Sequence, residues 1–448
     1  MTPDSLPQPV DLPSPSRRLR VAVVVQRYGM EVNGGAEVHA RLFVEHTRHA
    51  HEVTVLTTRA KDYTSWDRFY PEGPGQVDGT PVIRFDHPPR GHSGRARVPR
   101  RHLLRYRLGA LLSRLGVERV AAASGDAARD GQSYLERQGP FCPGLLEHLA
   151  QCAGHYDAVV FFTALYYPTA SGLPLTPVPT VLVPTLHDER SMYHPVYRAV
   201  FTRPDWVLWN CRAERDLAVD LYGPQVAPGS LCGVGIDAPR ADAAALAATR
   251  SRLKLLGPYF LYVGRITRSK GFDTLARAFR RFARGRDGRV KLVVVGQEFM
   301  PSLPRHPDIV YAGFASDAER DSLMAGALAT VVTSKHESLS LVTLESLAAG
   351  TPVIVNGRSP VLRAHAQDSG AGEAYSLMRP LAGALRRMAE RPEAERLALG
   401  RAGRAYVAQH YSWTRVQQEW LSALERVTES AGARSAATAT PAAGGATG

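Results

Sequence analysis

Cysteine is scarce, with four in 448 residues. Cys142, Cys152, Cys211 and Cys232 stand at irregular spacing with no Cys-x-x-Cys, which excludes a zinc ribbon and a disulfide framework and leaves reduced, packing thiols. Aromatics are few, at 8%, and do not interleave with basic runs, so stacking platforms for nucleic acid are not expected. Apolar runs stop at strand length, such as Val21 to Val25 and Leu292 to Val295. None approaches the roughly 18 residues that span a bilayer. The opening Met1-Thr2-Pro3-Asp4-Ser5-Leu6-Pro7 lacks the apolar core of a secretory signal, and a cytoplasmic protein is expected. Asp-x-Asp is absent, so a metal-bridged diphosphate finds no obvious ligand pair and no metal or other cofactor is expected. Acid is short as well: 42 Asp+Glu face 55 Lys+Arg, a formal charge of +13. That balance suits nucleic acid, an anionic membrane or anionic substrates, and equally an arginine-rich composition with no specific partner.

What is present is globular. Hydrophobic residues at 44% and charged ones at 22% argue against wholesale disorder, and the length calls for two or more domains. Short β-rich runs at Arg20–Val25, Val53–Thr58, Val82–Phe85, Ala158–Phe162, Thr180–Val183 and Trp206–Asn210 alternate with helical stretches such as Gly35–Thr47. A second series begins near Ala238 with Tyr259–Val263, Lys291–Val295, Ile309–Tyr311, Ala329–Thr333 and Pro352–Val355. Continuous apolar strands between amphipathic helices predict parallel sheets covered on both faces. The class is α/β: two Rossmann-like doubly wound domains, 19–236 and 237–412, facing a central cleft. A Pro/Ser-rich arm (1–18) and an Ala/Gly/Thr-rich tail (428–448) bury too little apolar surface to order.

One segment, 84–140, breaks the alternation as a basic insertion. Between Arg84 and Arg107 stand eight arginines against the single acid Asp86. The helix expected next carries a Leu104, Leu108, Leu111, Leu112, Leu115 stripe with basic shoulders, which suits the interface of an anionic bilayer across 84–115. Its alternative is a lobe-packing helix with solvated arginines.

Two motifs carry chemistry. Gly264-Arg265-Ile266-Thr267-Arg268-Ser269-Lys270-Gly271 follows the strand at Tyr259, and Glu337 and Glu345 stand eight positions apart after the strand at Ala329. Two cations at one strand end and two carboxylates at another suit a ligand with a diphosphate at one end and hydroxyls at the other, as in a nucleotide sugar. Arg265 can fork across two phosphate oxygens and Lys270 supplies a point charge, while Gly264 and Gly271 let the backbone approach. Amides at Ser338, Leu339, Ser340 and Leu341 can cap the same sugar or phosphate. Gly34 and Gly35 occupy the first strand-to-helix turn, where they permit close approach without forming G-x-G-x-x-G, so a dinucleotide oxidoreductase lacks its fingerprint. Glu37 follows where a carboxylate complements the helix dipole, which makes a plain stabilising role as good a reading. His187, after the strand at Thr180, is suited to orient a hydroxyl.

These runs resemble the signature of the family 4 (GT4) retaining glycosyltransferases of GT-B architecture. The match lies in the Gly264–Gly271 run, the E-x7-E of Glu337 and Glu345, Asn33-Gly34-Gly35-Ala36-Glu37 and His187-Asp188, four motifs in order, each after a strand. Many members carry a glycine two or three places after the first glutamate, and Ser338-Leu339-Ser340-Leu341 has none. The resemblance implies that Glu345 holds the ribose, that Glu337 and His187 face the donor sugar, that anomeric configuration is retained, and that a final helix at 413–427 returns to the first domain. It implies a hexose moved from a nucleoside-diphosphate sugar to a saccharide, lipid-linked or small-molecule acceptor, with no nucleic-acid partner. A nucleotide-sugar hydrolase or epimerase, and a non-catalytic nucleotide- or nucleic-acid-binding module, are the competing readings.

Overall fold

The computed structural model describes residues 17–32, 34–89, 104, 125–237, 239, 241–284 and 289–439. It divides into two units, one running to Cys232 and resuming at Gln417, the other Gly233–Val416. Each is built on its own parallel sheet, as the strand-helix alternation predicts.

The amino-terminal sheet contains β1 (Arg20–Val24), β2 (Glu52–Thr58), β3 (Gly73–Val77), β4 (Thr80–Phe85), β5 (Ala158–Phe162), β6 (Thr180–Val183), β7 (Trp206–Trp209) and β8 (Gly229–Leu231). They are ordered β3-β4-β2-β1-β5-β6-β7-β8. All pairings are parallel except β3 with β4, a hairpin closed by Asp78-Gly79, whose φ values of 47° and 72° place both in the left-handed region. Val21, Val23, Val24 and all of β5 are fully buried, as strands covered on both faces must be.

Trp420 brings the end of the chain into this unit. Its ring is fully buried and lies 5.1 Å from Phe43 and 5.9 Å from His39, both on the Gly35–Thr47 helix. The terminal helix is Trp413–Ala439 and so continues through much of the segment expected to be a loose tail. Arg426 lies over Trp206, and Arg434 donates to Asp205 at 2.9 Å, both against β7 and its approach. These contacts correct the tail expectation over 428–439; 440–448 and 1–16 lie outside the described residues. At the end of the expected arm, Arg17 donates to Asp157 at 3.0 Å.

The basic insertion is corrected at its first residue. Arg84 is buried in β4, donates to the Tyr28 carbonyl and lies over the Tyr70 ring, so it belongs to the core and not to a basic surface. Asp86 accepts from Arg59 and Arg68, arginines outside the insertion. Tyr134 and Leu135, near the insertion's end on the Gly125–Gln138 helix, join the apolar core. The leucine stripe beyond Leu104 lies outside the described residues, and no helix among those described is long and apolar enough to cross a membrane. All four cysteines are free and buried.

The carboxy-terminal sheet contains β9 (Tyr259–Val263), β10 (Lys291–Val295), β11 (Ile309–Gly313), β12 (Thr330–Val332), β13 (Val353–Asn356) and β14 (Gly372–Tyr375), ordered β11-β10-β9-β12-β13-β14. Order reverses between β9 and β12. Connections leave those two strands in opposite directions, which opens a crevice at their carboxyl ends. The Phe272–Ala283 helix buries Phe272, Leu275, Ala276, Phe279 and Phe282 at helical spacing, fixing it against the sheet.

Candidate active site

The Gly264–Gly271 run leaves β9 and the Ser334–Ser340 run leaves β12, so both motifs meet at the switch point. Gly264 adopts φ +137° and Gly271 φ +76°. Gly271 caps the helix that follows, and a Cβ there would stand 2.6 Å from the Thr333 carbonyl oxygen. Thr333 in turn donates from its hydroxyl to the Lys270 carbonyl at 2.8 Å, and Asn356 donates to the Thr333 carbonyl at 3.1 Å. Backbone is thereby clamped to backbone across the crevice. Tyr262 adds a further tie by donating to the Arg265 carbonyl at 2.9 Å.

Lys270 Nζ lies 2.7 Å from Glu337 Oε1, so a cation of one motif is paired with a carboxylate of the other. Arg265 is exposed beside this pair in sequence. The helix Leu341–Ala348 starts from Ser340, whose φ of +67° is left-handed. This is one of the two positions where many members of the family that the sequence resembles carry glycine. Here a serine holds the turn, its Oγ 2.8 Å from Thr343 Oγ1. His365 fixes the same loop, its Nε2 2.8 Å from the Leu339 carbonyl.

Glu345 lies on that helix, half-buried as a residue, with no hydrogen bond or ion pair to any described residue. Burial raises its pKa, and the nearby Arg320 guanidinium pulls the other way. Arg320 is missing from the sequence reading. It sits on the Asp317–Ala325 helix, tied to Asp317 and Asp321 at 2.9 Å each, and no spacing links it to the E-x7-E motif.

In the amino-terminal unit, Gly34 caps the Gly35–Thr47 helix and Gly35 faces open space. A Cβ at Gly34 would collide with the Glu37 carboxylate, which is itself buried and accepts from Gln26 and Arg27. Glu37 is thus occupied in holding the turn. Asn33 lies outside the described residues. His187 follows β6, with Nδ1 3.2 Å from Glu189 Oε1. Beneath it, fully buried Glu214 accepts from the backbone amides of Leu186 and Asn210, each at 2.6 Å. Burial pushes the Glu214 pKa up to about 8 against the pull of those amides. Sequence reasoning passed over Glu214 because nothing in a helical glutamate announces that its carboxylate will support a loop from another strand.

Among the described residues no group of three His, Cys, Asp or Glu side chains could hold a metal ion. In the carboxy-terminal unit Lys270 is paired with Glu337, Arg265 stands in the same loop after β9, and Glu345 lies on the helix after β12.

The glycosyl transferases group 1 family model matches residues 249–399. Glycogen synthase of Mycobacterium tuberculosis is 32% identical over 159 residues, which is 33% of this chain and 37% of that enzyme. The matched stretches span well under half the length of the curated relatives, 26%, 29% and 37% in three of them. Among solved structures, sucrose-phosphate synthase of Thermosynechococcus elongatus superposes with TM-score 0.62 at 18% identity, over 92% of this chain and 100% of that one. Anabaena HepE in complex with UDP and glucose gives TM-score 0.61 at 15% identity, over 91% and 100%. Identities this low speak for the fold, which is GT-B. With the family match placed on the unit that carries the Lys270–Glu337 pair, this chain has the GT-B fold, and its residues 249–399 match the glycosyl transferases group 1 family model.

Proposed function

We propose that the chain is a retaining glycosyltransferase that moves a hexose from a nucleoside-diphosphate sugar to an acceptor hydroxyl on a saccharide, a lipid-linked glycan or a small molecule. The observation that carries this reading is the meeting of Lys270 with Glu337 at the β9/β12 switch point, with Glu345 unpaired on the helix that follows. HepE, of the same fold, is solved with UDP and glucose, which supports a nucleotide-sugar donor.

As the bond between the anomeric carbon and the diphosphate oxygen lengthens, negative charge grows on the β-phosphate. Arg265 and Lys270 are the side chains to neutralise it, and preorganised charge is usually the largest catalytic term. For this Lys270 must exchange Glu337 for phosphate, which frees the Glu337 carboxylate for a sugar hydroxyl. Glu345, without a donor among the described residues, has both oxygens available to vicinal ribose hydroxyls. Gly264 and Gly271 leave room for the diphosphate, and the amides from Ser338 to Leu341 line the sugar side. His187, held through Leu186 by Glu214, orients a hydroxyl of the donor. Gly34 and Gly35 let the backbone close beside a phosphate or the sugar ring of the donor. With the acceptor oxygen attacking the face the diphosphate leaves, its proton passes to the departing phosphate oxygen and configuration is retained. Charge neutralisation by side chains makes the reaction independent of a divalent metal, and the work is placed in the cytoplasm, with any membrane contact peripheral.

The test is a screen of UDP-, GDP-, ADP- and dTDP-sugars by thermal shift and turnover, with NMR of the product's anomeric proton and an EDTA control. Arg265→Ala with Lys270→Ala should lower turnover by about a hundredfold or more. A best donor that protects wild type and Glu345→Ala equally removes the ribose assignment, and unaltered turnover in the double variant removes the mechanism.

A further inference from the structure

The carboxy-terminal unit carries a groove of about 910 Å³ between the Phe272–Ala283 helix and the start of the Leu381–Glu390 helix. Its floor is made by Thr333, Asn356 and Tyr375, at the carboxyl ends of β12, β13 and β14. Clefts that take small ligands run to about 300–1,000 Å³, so the size is that of a binding site. Five cations line it, Arg268, Arg277, Arg281, Lys335 and Arg358, against the single carboxylate of Asp273. Arg277 already takes Asp273 at 3.0 Å. Among the described residues, the side chains of Arg268, Arg281, Lys335 and Arg358 have no hydrogen-bond or ion-pair partner.

Four uncompensated cations converging on one concavity, drawn from the loop after β9, the helix after it and the loops after β12 and β13, focus a positive field there. Three are arginines, whose planar forks match phosphate oxygens. Arg265, Lys270, Glu337 and Glu345 do not line the groove, and of the donor residues Gly271 alone borders it. Leu377, also on its wall, is 84% exposed. It offers apolar surface beside the charges.

We propose that this groove is a second anion site, taking a phosphate-bearing ligand that is either a soluble phosphorylated molecule or a lipid headgroup. The site does not rest on the donor reading. Its ligand grips Lys335, two residues ahead of Glu337, and so touches the segment that bears the donor carboxylate.

Inorganic pyrophosphate titrated calorimetrically into the full chain bearing Arg265→Ala and Lys270→Ala reports the groove without the donor cations. Adding Arg281→Ala, Lys335→Ala and Arg358→Ala should weaken binding at least tenfold at fixed salt. Adding Arg203→Ala, Arg212→Ala and Arg215→Ala, a loss of equal charge at exposed positions of the other unit, should leave it within twofold. All the substituted groove side chains are exposed, so circular dichroism and the thermal midpoint should match the parent. In a parallel arm the same variants are sedimented with phosphatidylglycerol/phosphatidylcholine vesicles. Groove-dependent pyrophosphate binding identifies a soluble phosphate, and groove-dependent pelleting without it identifies a headgroup. Equal losses in the groove and control variants, or no loss in either arm, overturn the proposal.

Discussion

Gly271 shows how much one missing Cβ carries. Its φ of +76° disfavours any side chain, and the Thr333 carbonyl 2.6 Å from where a Cβ would lie leaves no space for one. Gly271→Ala should therefore cost about 1–3 kcal/mol, read as a lower urea midpoint of the unit that contains it. Arg320 acts through charge instead. It is the cation that draws the Glu345 pKa down against burial, so Arg320→Ala should raise that pKa further. If ionised Glu345 grips the donor ribose, donor affinity falls as pH drops through its pKa, and the fall should begin at higher pH in the variant. Titration of donor Kd against pH checks this; superimposable profiles would detach Arg320 from the site. The paired carboxylates were readable in the sequence because E-x7-E keeps them in one strand-turn-helix segment. Arg320 was not, since it arrives from a different helix and only folding brings it near.

The Gly35–Thr47 helix is an element with a built-in response to acid. His39 lies among Phe43, Phe162 and Trp420, and burial alone drives its pKa down to about 3 from an ordinary 6.5; His46, on the same helix, falls to about 4. The unfolded chain takes up these protons first as pH falls. Stability is therefore complete above about pH 6.5 and is lost progressively towards pH 3, by up to about 1.4 kcal/mol per pH unit for each histidine. His39→Leu should flatten the fall of the urea midpoint between pH 6.5 and 4, and an equally steep fall would place the acid lability elsewhere. Among the strands, β1, β5, β9 and β10 were legible as apolar runs. β3, reading Gly-Pro-Gly-Gln-Val, was not, because an exposed edge strand needs no apolar face. The Asp78-Gly79 turn beside it was the available signal. The terminal helix outran its expected end because Arg426 and Arg434 find partners on β7 and its approach, which local composition does not reveal.

The two units differ in how the chain supplies them. Gly233–Val416 is one continuous stretch, whereas the other unit is interrupted and takes up the chain again at Gln417. Deleting 417–439 removes Trp420 and Leu424 from the amino-terminal core and should lower that unit's melting temperature by several degrees or more, while leaving donor-induced protection of the carboxy-terminal unit in place. Calorimetry with and without donor separates the two effects, and equal destabilisation of both units would count against the division. The alternation of strands with helices made the two parallel sheets readable in advance, and the switch point followed from strand order. The same interrupted supply has a temporal side. During synthesis the cavity awaiting Trp420 stays unfilled until all of Gly233–Val416 has been made, so the unit begun first is completed after the other.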